Sequence, residues 1–490
     1  MNFSDFYTTN DHFTIIPAVM LALFGCAILI FDFWMFPDPR QRKWLLIFVA
    51  FAEGFTGFGL YRQAAWLAQS PAALQGFHGS VTVDGFSVFF NWIFLVAALV
   101  VAIISYQYLE IAGEHHGEYY GLILFAQCGM YFLATGTDLV TLFIGLELMA
   151  LSFYVMVGFL RADKRSNEAA MKYLLLGAFS TGFLAYGFSV LYGIAGSTKL
   201  QDITDAIAAR PAWDPVVFLA LATTAVGLLF KIAAAPFHMW APDAYEGAPT
   251  PVTAYLSVAS KAASFAFLLR LFQGPLQSLS AEWEPILAFV AILTLTLGNL
   301  AAINQTNIKR LLAYSSISHA GYMLLGLVAN NPTGTNGILV YVMVYTFMNL
   351  GAFAVITAMR RRGIIGEELD DLAGLMHKSP GYAMLMLVFL LSLAGIPPTA
   401  GFLGKYYIFL ALIQSGHYVL AVVATLYVAV AIYYYFKIVR SMFIREETEK
   451  APVATSFGLR LALGVTGLLT LLIGIYPEPF LQLAKTSLVR

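Results

Sequence analysis

Apolar runs of about eighteen or more residues follow one another along the chain, separated by short polar stretches. At 1.5 Å rise per residue such a run crosses the hydrocarbon core of a bilayer, so the pattern predicts an all-α polytopic membrane protein. The runs lie near 13–36, 44–66, 84–108, 118–136, 138–160, 168–195, 214–240, 252–273, 284–303, 311–329, 336–358, 379–414, 416–443 and 456–476, which gives about fourteen transmembrane helices. The alternation that marks a membrane barrel is absent. The first run is too long for a signal core. The residues before it carry Asp5 and Asp11 and no basic side chain, so it reads as a true first span.

Two runs are interrupted. Residues 228–240 read LLFKIAAAPFHMW and residues 393–405 read LAGIPPTAGFLGK. Pro236 cannot donate to the carbonyl of Ile232, and Pro397 and Pro398 leave those of Leu393 and Ala394 without their helical partners. Gly395, Gly401 and Gly404 are expected to loosen the second site further. Both spans are predicted to be broken helices, which a bilayer tolerates only where they face protein or a wet cavity.

The breaks fall in spans seven and twelve, so spans 4–8 and 9–13 form two five-helix units. Five is odd, so the second unit enters the membrane upside down, as an inverted repeat. The division is 1–117 as an N-terminal three-helix segment, 118–273 and 284–443 as the two repeats, and 444–490 as a C-terminal helix. Basic residues set the orientation. One side has Arg40, Arg42, Lys43, Arg161, Lys164, Arg165, Lys309, Arg310, Arg360, Arg361, Arg362, Lys378, Arg445 and Lys450; the other has little beyond Arg62, Lys199 and Arg210. The rich side is cytoplasmic, which places both termini outside.

Composition agrees. Of 490 residues, 60% are hydrophobic and 11% charged, against about a quarter charged in soluble proteins. The net charge of −1 gives no electrostatic case for nucleic acid. Cys26 and Cys128 lie inside apolar runs and form no CxxC or CxxCH, so no iron–sulfur or haem ligation is visible. Walker A and HExxH motifs are missing, and GFTGFG at 54–59 lacks dinucleotide-loop spacing. Redox chemistry tied to this chain is expected to sit on other chains.

Against this apolar background a few charges fall inside spans: Glu147 mid-span five, Lys231 in span seven, Lys261 mid-span eight and Lys405 in span twelve, with His319 in span ten. Each costs at least ~2.5–3.5 kcal/mol to insert, so each calls for a pairing or a function. Asp138 lies about 13 Å shallower than Glu147 on the opposite helix face and reads as interfacial. Thr253, Ser257, Ser260 and Ser264 make a polar stripe around Lys261. Glu147 with a lysine can be a static pair that holds helices together, or a switch. His319 is a relay or a hydrogen-bonded core histidine. Magnitudes favour the switch. Moving a proton against ~180 mV takes ~4 kcal/mol, and making or breaking a carboxylate–ammonium contact at ~4 Å is worth ~4 kcal/mol at an effective dielectric near 20.

The blocks FKIAAAPFHMWAPDAYEGAPTPVTAYLSVASK (230–261), NQTNIKRLLAYSSISHAGYMLLG (304–326) and LAGIPPTAGFLGKYYIF (393–409) resemble the antiporter-like proton-pumping subunits of respiratory complex I, the proton-translocating NADH–quinone oxidoreductase. The likeness covers nearly the whole chain and is nearest to the N-type members. M-type members usually carry glutamate where Lys405 stands, and L-type members end in a long lateral helix. The resemblance implies Glu147 and Lys231 as a switchable pair, Lys261 as a connecting lysine and Lys405 as the terminal site of the second half-channel. His319 falls on a central axis position, and His238 lies at the span-seven break. It implies no cofactor in this chain, with NADH, FMN, iron–sulfur clusters and quinone on partner subunits. The implied partners are other membrane and peripheral subunits of the complex, neighbouring antiporter-like subunits and membrane lipid of the cell inner membrane. A subunit of a multisubunit Na⁺/H⁺ antiporter shares the Glu, Lys and GIPP features. A passive scaffold, whose charges only fix helix packing, is the reading from another class. The GAPTPVTAYLSVASK block and RSNEAAMKYLLLGAFS (165–180) favour the complex I subunit.

Overall fold

The computed structural model describes residues 7–34, 43–70, 72–211, 214–360, 366–446 and 456–488. Arg40, Arg42, Arg361, Arg362 and Lys450, used above for orientation, lie outside them, as does the Lys43 side chain. The described chain is mostly helical. In order it runs α1 (Thr9–Trp34), α2 (Lys43–Gln69), α3 (Gly85–Ala112), α4 (Gly117–Thr135), α5 (Leu139–Val157), α6 (Lys164–Ala195), α7 (Leu200–Ala208), α8 (Pro215–Lys231) and α9 (Trp240–Gly247). It continues with α10 (Thr250–Tyr255), α11 (Lys261–Phe272), α12 (Ser280–Ile303), α13 (Ile308–Val328), α14 (Pro332–Met359) and α15 (Leu375–Lys378). The last elements are α16 (Pro380–Ala394), α17 (Ala400–Gln414), α18 (Tyr418–Ile444), α19 (Phe457–Ile475) and α20 (Glu478–Thr486). Among the described residues, 11 helical segments are long and apolar enough to cross a membrane.

Local signals set many helix starts. Asp84 caps α3 in a reciprocal box with Ser87, and Asp138, Asp163, Asp214, Asn307, Asn331 and Ser456 accept from first-turn amides of α5, α6, α8, α13, α14 and α19. Asp138 is therefore a cap, bonded also to Thr198 at 2.5 Å, in keeping with an interfacial residue. Between α2 and α3 the chain departs from all-helix. Leu74–Gly76 pairs antiparallel with Val81–Val83, and Asp11 of α1 accepts from the Phe77 amide of that hairpin.

Burial divides the helices into two classes. The membrane windows of α10–α11, α13 and α14 are 100%, 94% and 94% buried, whereas those of α1, α2, α6, α18 and α19 are 28–39% buried. A helix enclosed on every side can carry polar groups without showing them to lipid. The enclosed helices carry Lys261, His319, Ser315, Ser316, Asn349 and Tyr341.

Charged clamps hold the ends of the bundle. The Arg270 guanidinium grips Asp84 with two bonds of 2.7 and 2.8 Å and donates to the Ala134 carbonyl, tying α11 to α3 and α4. At the opposite end Lys309, counted above as a loop charge, is 1% exposed; it bonds Glu367 and the Ala248 carbonyl, both at 2.7 Å. Burial made it a structural pair and not a solvated charge. Removing one member of a buried pair strands the other, at a cost of about 3–5 kcal/mol. Asp84→Ala is expected to destabilise by that order, read as a lowered thermal midpoint of the detergent-solubilised protein. An unchanged midpoint would mean that Arg270 finds another partner.

Candidate functional site

Both proline stretches break their helices. α8 ends at Lys231; Ala233 takes positive φ (57°), the Ala235–Pro236 peptide is cis, and helix resumes at Trp240. The loosened strand is held from the side, since Thr294 accepts from the Ala235 amide (2.9 Å) and the Trp240 indole donates to the Phe230 carbonyl (2.9 Å). The short α9 beyond the break is pinned. Arg310 reaches Asp243 and Glu246 at 2.8 and 2.9 Å, and Lys172 reaches Asp243 at 2.9 Å. Burial works against the Asp243 carboxylate, but the Lys172 and Arg310 hydrogen bonds hold it below its ordinary range.

Lys231 has only 5% of its surface exposed, and its Nζ makes no hydrogen bond. Its nearest aromatic faces are Tyr154 and Phe230, with ring centroids at 5.9 and 6.0 Å. Glu147, half-buried on α5, accepts from Thr181 of α6 at 2.9 Å and acts on Lys231 electrostatically, yet the two form no ion pair within 4.0 Å. The two side chains are thus electrostatic neighbours without a direct ion pair. His238 sits in the break, half-buried, with Nδ1 unbonded.

At the second break α16 ends at Ala394, Pro397–Pro398 is cis, and α17 starts at Ala400. The two carbonyls orphaned by the prolines, Leu393 and Ala394, accept from Lys405 Nζ at 3.0 and 2.8 Å. The lysine supplies the donors that two prolines removed. The glycines do not loosen this site; they permit close contact. Gly395 has φ 84°, a Cβ on Gly401 would stand 1.8 Å from the Ser392 carbonyl oxygen, and one on Gly404 would stand 2.8 Å from the Tyr341 ring. Lys405 is 3% exposed and lies 5.0 Å from the Tyr322 ring centroid.

Between the breaks runs a file of polar side chains. A one-turn π segment, Leu256–Ser260, precedes Lys261, whose Nζ donates to Ser316 Oγ and to the Ser316 carbonyl, both at 2.5 Å. The adjacent Ser315 hydroxyl bonds Tyr435 (2.5 Å), Tyr435 bonds His319 Nε2 (3.1 Å), and His319 Nδ1 bonds Tyr341 (2.6 Å). Tyr341 stacks on Tyr322, the ring beneath Lys405. Ser315, Ser316, His319 and Tyr322 share one face of α13, because three- and four-residue steps do so. The Lys261 stripe faces protein throughout: Ser257 accepts from Asn349, and Ser264 donates to the Ser260 carbonyl.

Lys261 and His319 therefore share one file, with Lys405 beyond its end against the Tyr322 ring, while Glu147 and Lys231 form a separate near-pair. Sequence reasoning missed Tyr435, Tyr341, Thr181 and Glu53. The run AIYYYFK at 431–437 was a signal for the first, since hydroxyl-bearing rings in an apolar span need partners. Glu53 was visible as a carboxylate mid-span, and it adds a buried acid to the in-span charges named above.

A polytopic helical protein with lysines at two helix breaks and a buried polar file between them belongs to the class of membrane ion-translocating subunits. Residues 136–431 match the family described as NADH:quinone oxidoreductase/Mrp antiporter, transmembrane. The chain is 81% identical to "NADH-quinone oxidoreductase subunit N 2" of Solibacter usitatus over 100% of both chains. It is 54% identical to "NADH-quinone oxidoreductase subunit N 1" of Koribacter versatilis, covering 98% of this chain and 96% of that one. In respiratory complex I from Thermus thermophilus with bound aureothin, one chain is 34% identical with TM-score 0.78, covering 96% of this chain and 99% of that one. A chain of the Mrp complex from Dietzia sp. shares the fold at 21% identity and TM-score 0.83, over 98% and 97% of the two chains. This protein belongs to the NADH:quinone oxidoreductase/Mrp antiporter transmembrane family.

Proposed function

We propose that this chain is a proton-translocating membrane subunit of NADH–quinone oxidoreductase, of the kind named subunit N in its relatives. The observation that carries the mechanism is the enclosed file Lys261–Ser316/Ser315–Tyr435–His319–Tyr341, which ends beside a lysine bonded to the broken helix. Hydroxyls and imidazole both donate and accept, so each link can pass a proton and be restored. Electron transfer from NADH to quinone, with FMN and iron–sulfur clusters, belongs to partner subunits.

In this reading a proton is loaded at Lys231 when Glu147 approaches it, moves to Lys261, crosses the file and leaves from Lys405. His238 serves the break beside Lys231. The fourteen crossings count α4 and join α8 to the break that follows it, and α16 to α17, beyond the eleven long segments. The two breaks, five spans apart, support the inverted repeat. Orientation rests on the Lys/Arg excess of the side that carries Arg161, Lys164, Arg165, Lys309, Arg310, Arg360, Lys378 and Arg445, taken as cytoplasmic, which would place both termini outside. The antiporter alternative is disfavoured, because the high identities fall on oxidoreductase subunits and the Mrp likeness is one of fold.

The test is purification of the native assembly with its subunit list, followed by proton pumping and quinone reduction in sealed vesicles. Lys261→Ala is expected to leave the subunit list unchanged and to lower the protons moved per NADH oxidised. Copurification with cation-antiporter subunits only would overturn the reading.

A further inference from the structure

The proposed path leaves one buried acid unused. Glu53, in the middle of α2, is 3% exposed. Its Oε2 accepts from Gln127 Nε2 of α4 at 3.0 Å, while Oε1 is buried and bonded to nothing. Among the described residues no cation lies within 4.0 Å of it. A carboxylate in that position is expensive to keep charged and unpaired, and a neutral carboxyl would carry its proton on the free Oε1.

The surroundings link this acid to the Lys261 segment. Gln127 lies one turn beyond Ile123, whose carbonyl accepts from the Tyr255 hydroxyl at 3.2 Å. Tyr255 is buried and is the residue that enters the π segment leading to Lys261. One turn along α2, Thr56 Oγ1 is also buried and unbonded, as is Gln127 Oε1. Unbonded polar atoms therefore gather on the inner face of α2, while Phe51, Phe55 and Phe58 on its other side are exposed. A carboxylate serving only to hold helices would be expected to use both oxygens.

We propose that Glu53 is a further proton-exchanging carboxylate of this chain, set on the inner face of α2 against Gln127 of α4, the helix whose Ile123 carbonyl holds Tyr255 at the entry to the Lys261 segment. It takes a proton at Oε1, the free oxygen, from a protonated water, whose O–H bond breaks as the carboxyl O–H bond forms, and release to water reverses the step. The proposal rests on the proton-translocating reading above.

Glu53→Gln keeps the shape and can still accept from Gln127, but cannot bind a proton; Glu53→Asp keeps the titratable group. In the assembled complex E53Q is expected to lose most proton pumping per NADH oxidised, with E53D retaining most of it. Infrared difference spectra of turnover are expected to show a carboxyl C=O band that is absent in E53Q and displaced in E53D. Wild-type pumping by E53Q, or turnover spectra identical in wild type and E53D, would overturn the assignment. If E53Q does not assemble, the wild-type and E53D spectra decide alone. Lys231→Ala in the same preparation separates the two levels. Normal pumping by K231A defeats the translocating reading, whereas normal pumping by E53Q alone defeats only the role of Glu53.

Discussion

Lys231→Ala is expected to abolish most proton pumping by the assembled complex, and Glu147→Ala to do the same, with electron transfer falling only through coupling. Lys231 Nζ is buried and makes no hydrogen bond, so its charge depends on what approaches it. Glu147 is near enough to act on it, yet is held by Thr181 short of ion-pair contact. A contact at ~4 Å is worth ~4 kcal/mol relative to wide separation at an effective dielectric near 20, about a thousandfold in proton affinity, so the pair uses that range only by swinging between contact and distance. The full swing is the size of the ~4 kcal/mol needed per proton at ~180 mV. Stability should behave differently. The amine has no bond to lose, so Lys231→Met, which keeps the packed stem, is expected to be no less stable than the wild type. The measurement is proton uptake by vesicles against quinone reduction, normalised to assembled complex. Normal pumping per complex alongside poor assembly would instead make the residue a packing element.

Lys405→Arg is expected to assemble normally and pump poorly. The side chain bridges two carbonyls that prolines have orphaned, and a guanidinium fork can make the same two bonds. It cannot release a proton, since arginine stays protonated in proteins. A lysine in the same place can release one when another positive charge reaches the His319 end of the file, because like charges disfavour the protonated state. Lys405→Met separates bonding from titration. It leaves two buried carbonyls without donors, at about 1–3 kcal/mol each, and is expected to lower thermal stability as well as pumping. Arginine-variant pumping equal to the wild type would show that Lys405 is a fixed charge.

The sequence by itself determined the helices, the two breaks and the charges that demanded an explanation. These are legible because hydrocarbon admits no unpaired backbone and few charges, so a proline or lysine in an apolar run stands out without any knowledge of neighbours. The tertiary structure alone decided partners. That Lys405 would bond the Leu393 and Ala394 carbonyls depended on the turn made between α16 and α17. That Ser315 and His319 would meet Tyr435, more than a hundred residues away, depended on α18 packing beside α13. Lys309 looked like a solvated loop charge until Glu367 and Ala248 closed over it. Gly401 looked like a source of slack until the Ser392 carbonyl was found where its side chain would be. Sequence spacing orders groups along one helix, and contacts across helices follow from which faces the bundle turns inward, a choice made by the packing of all the helices together.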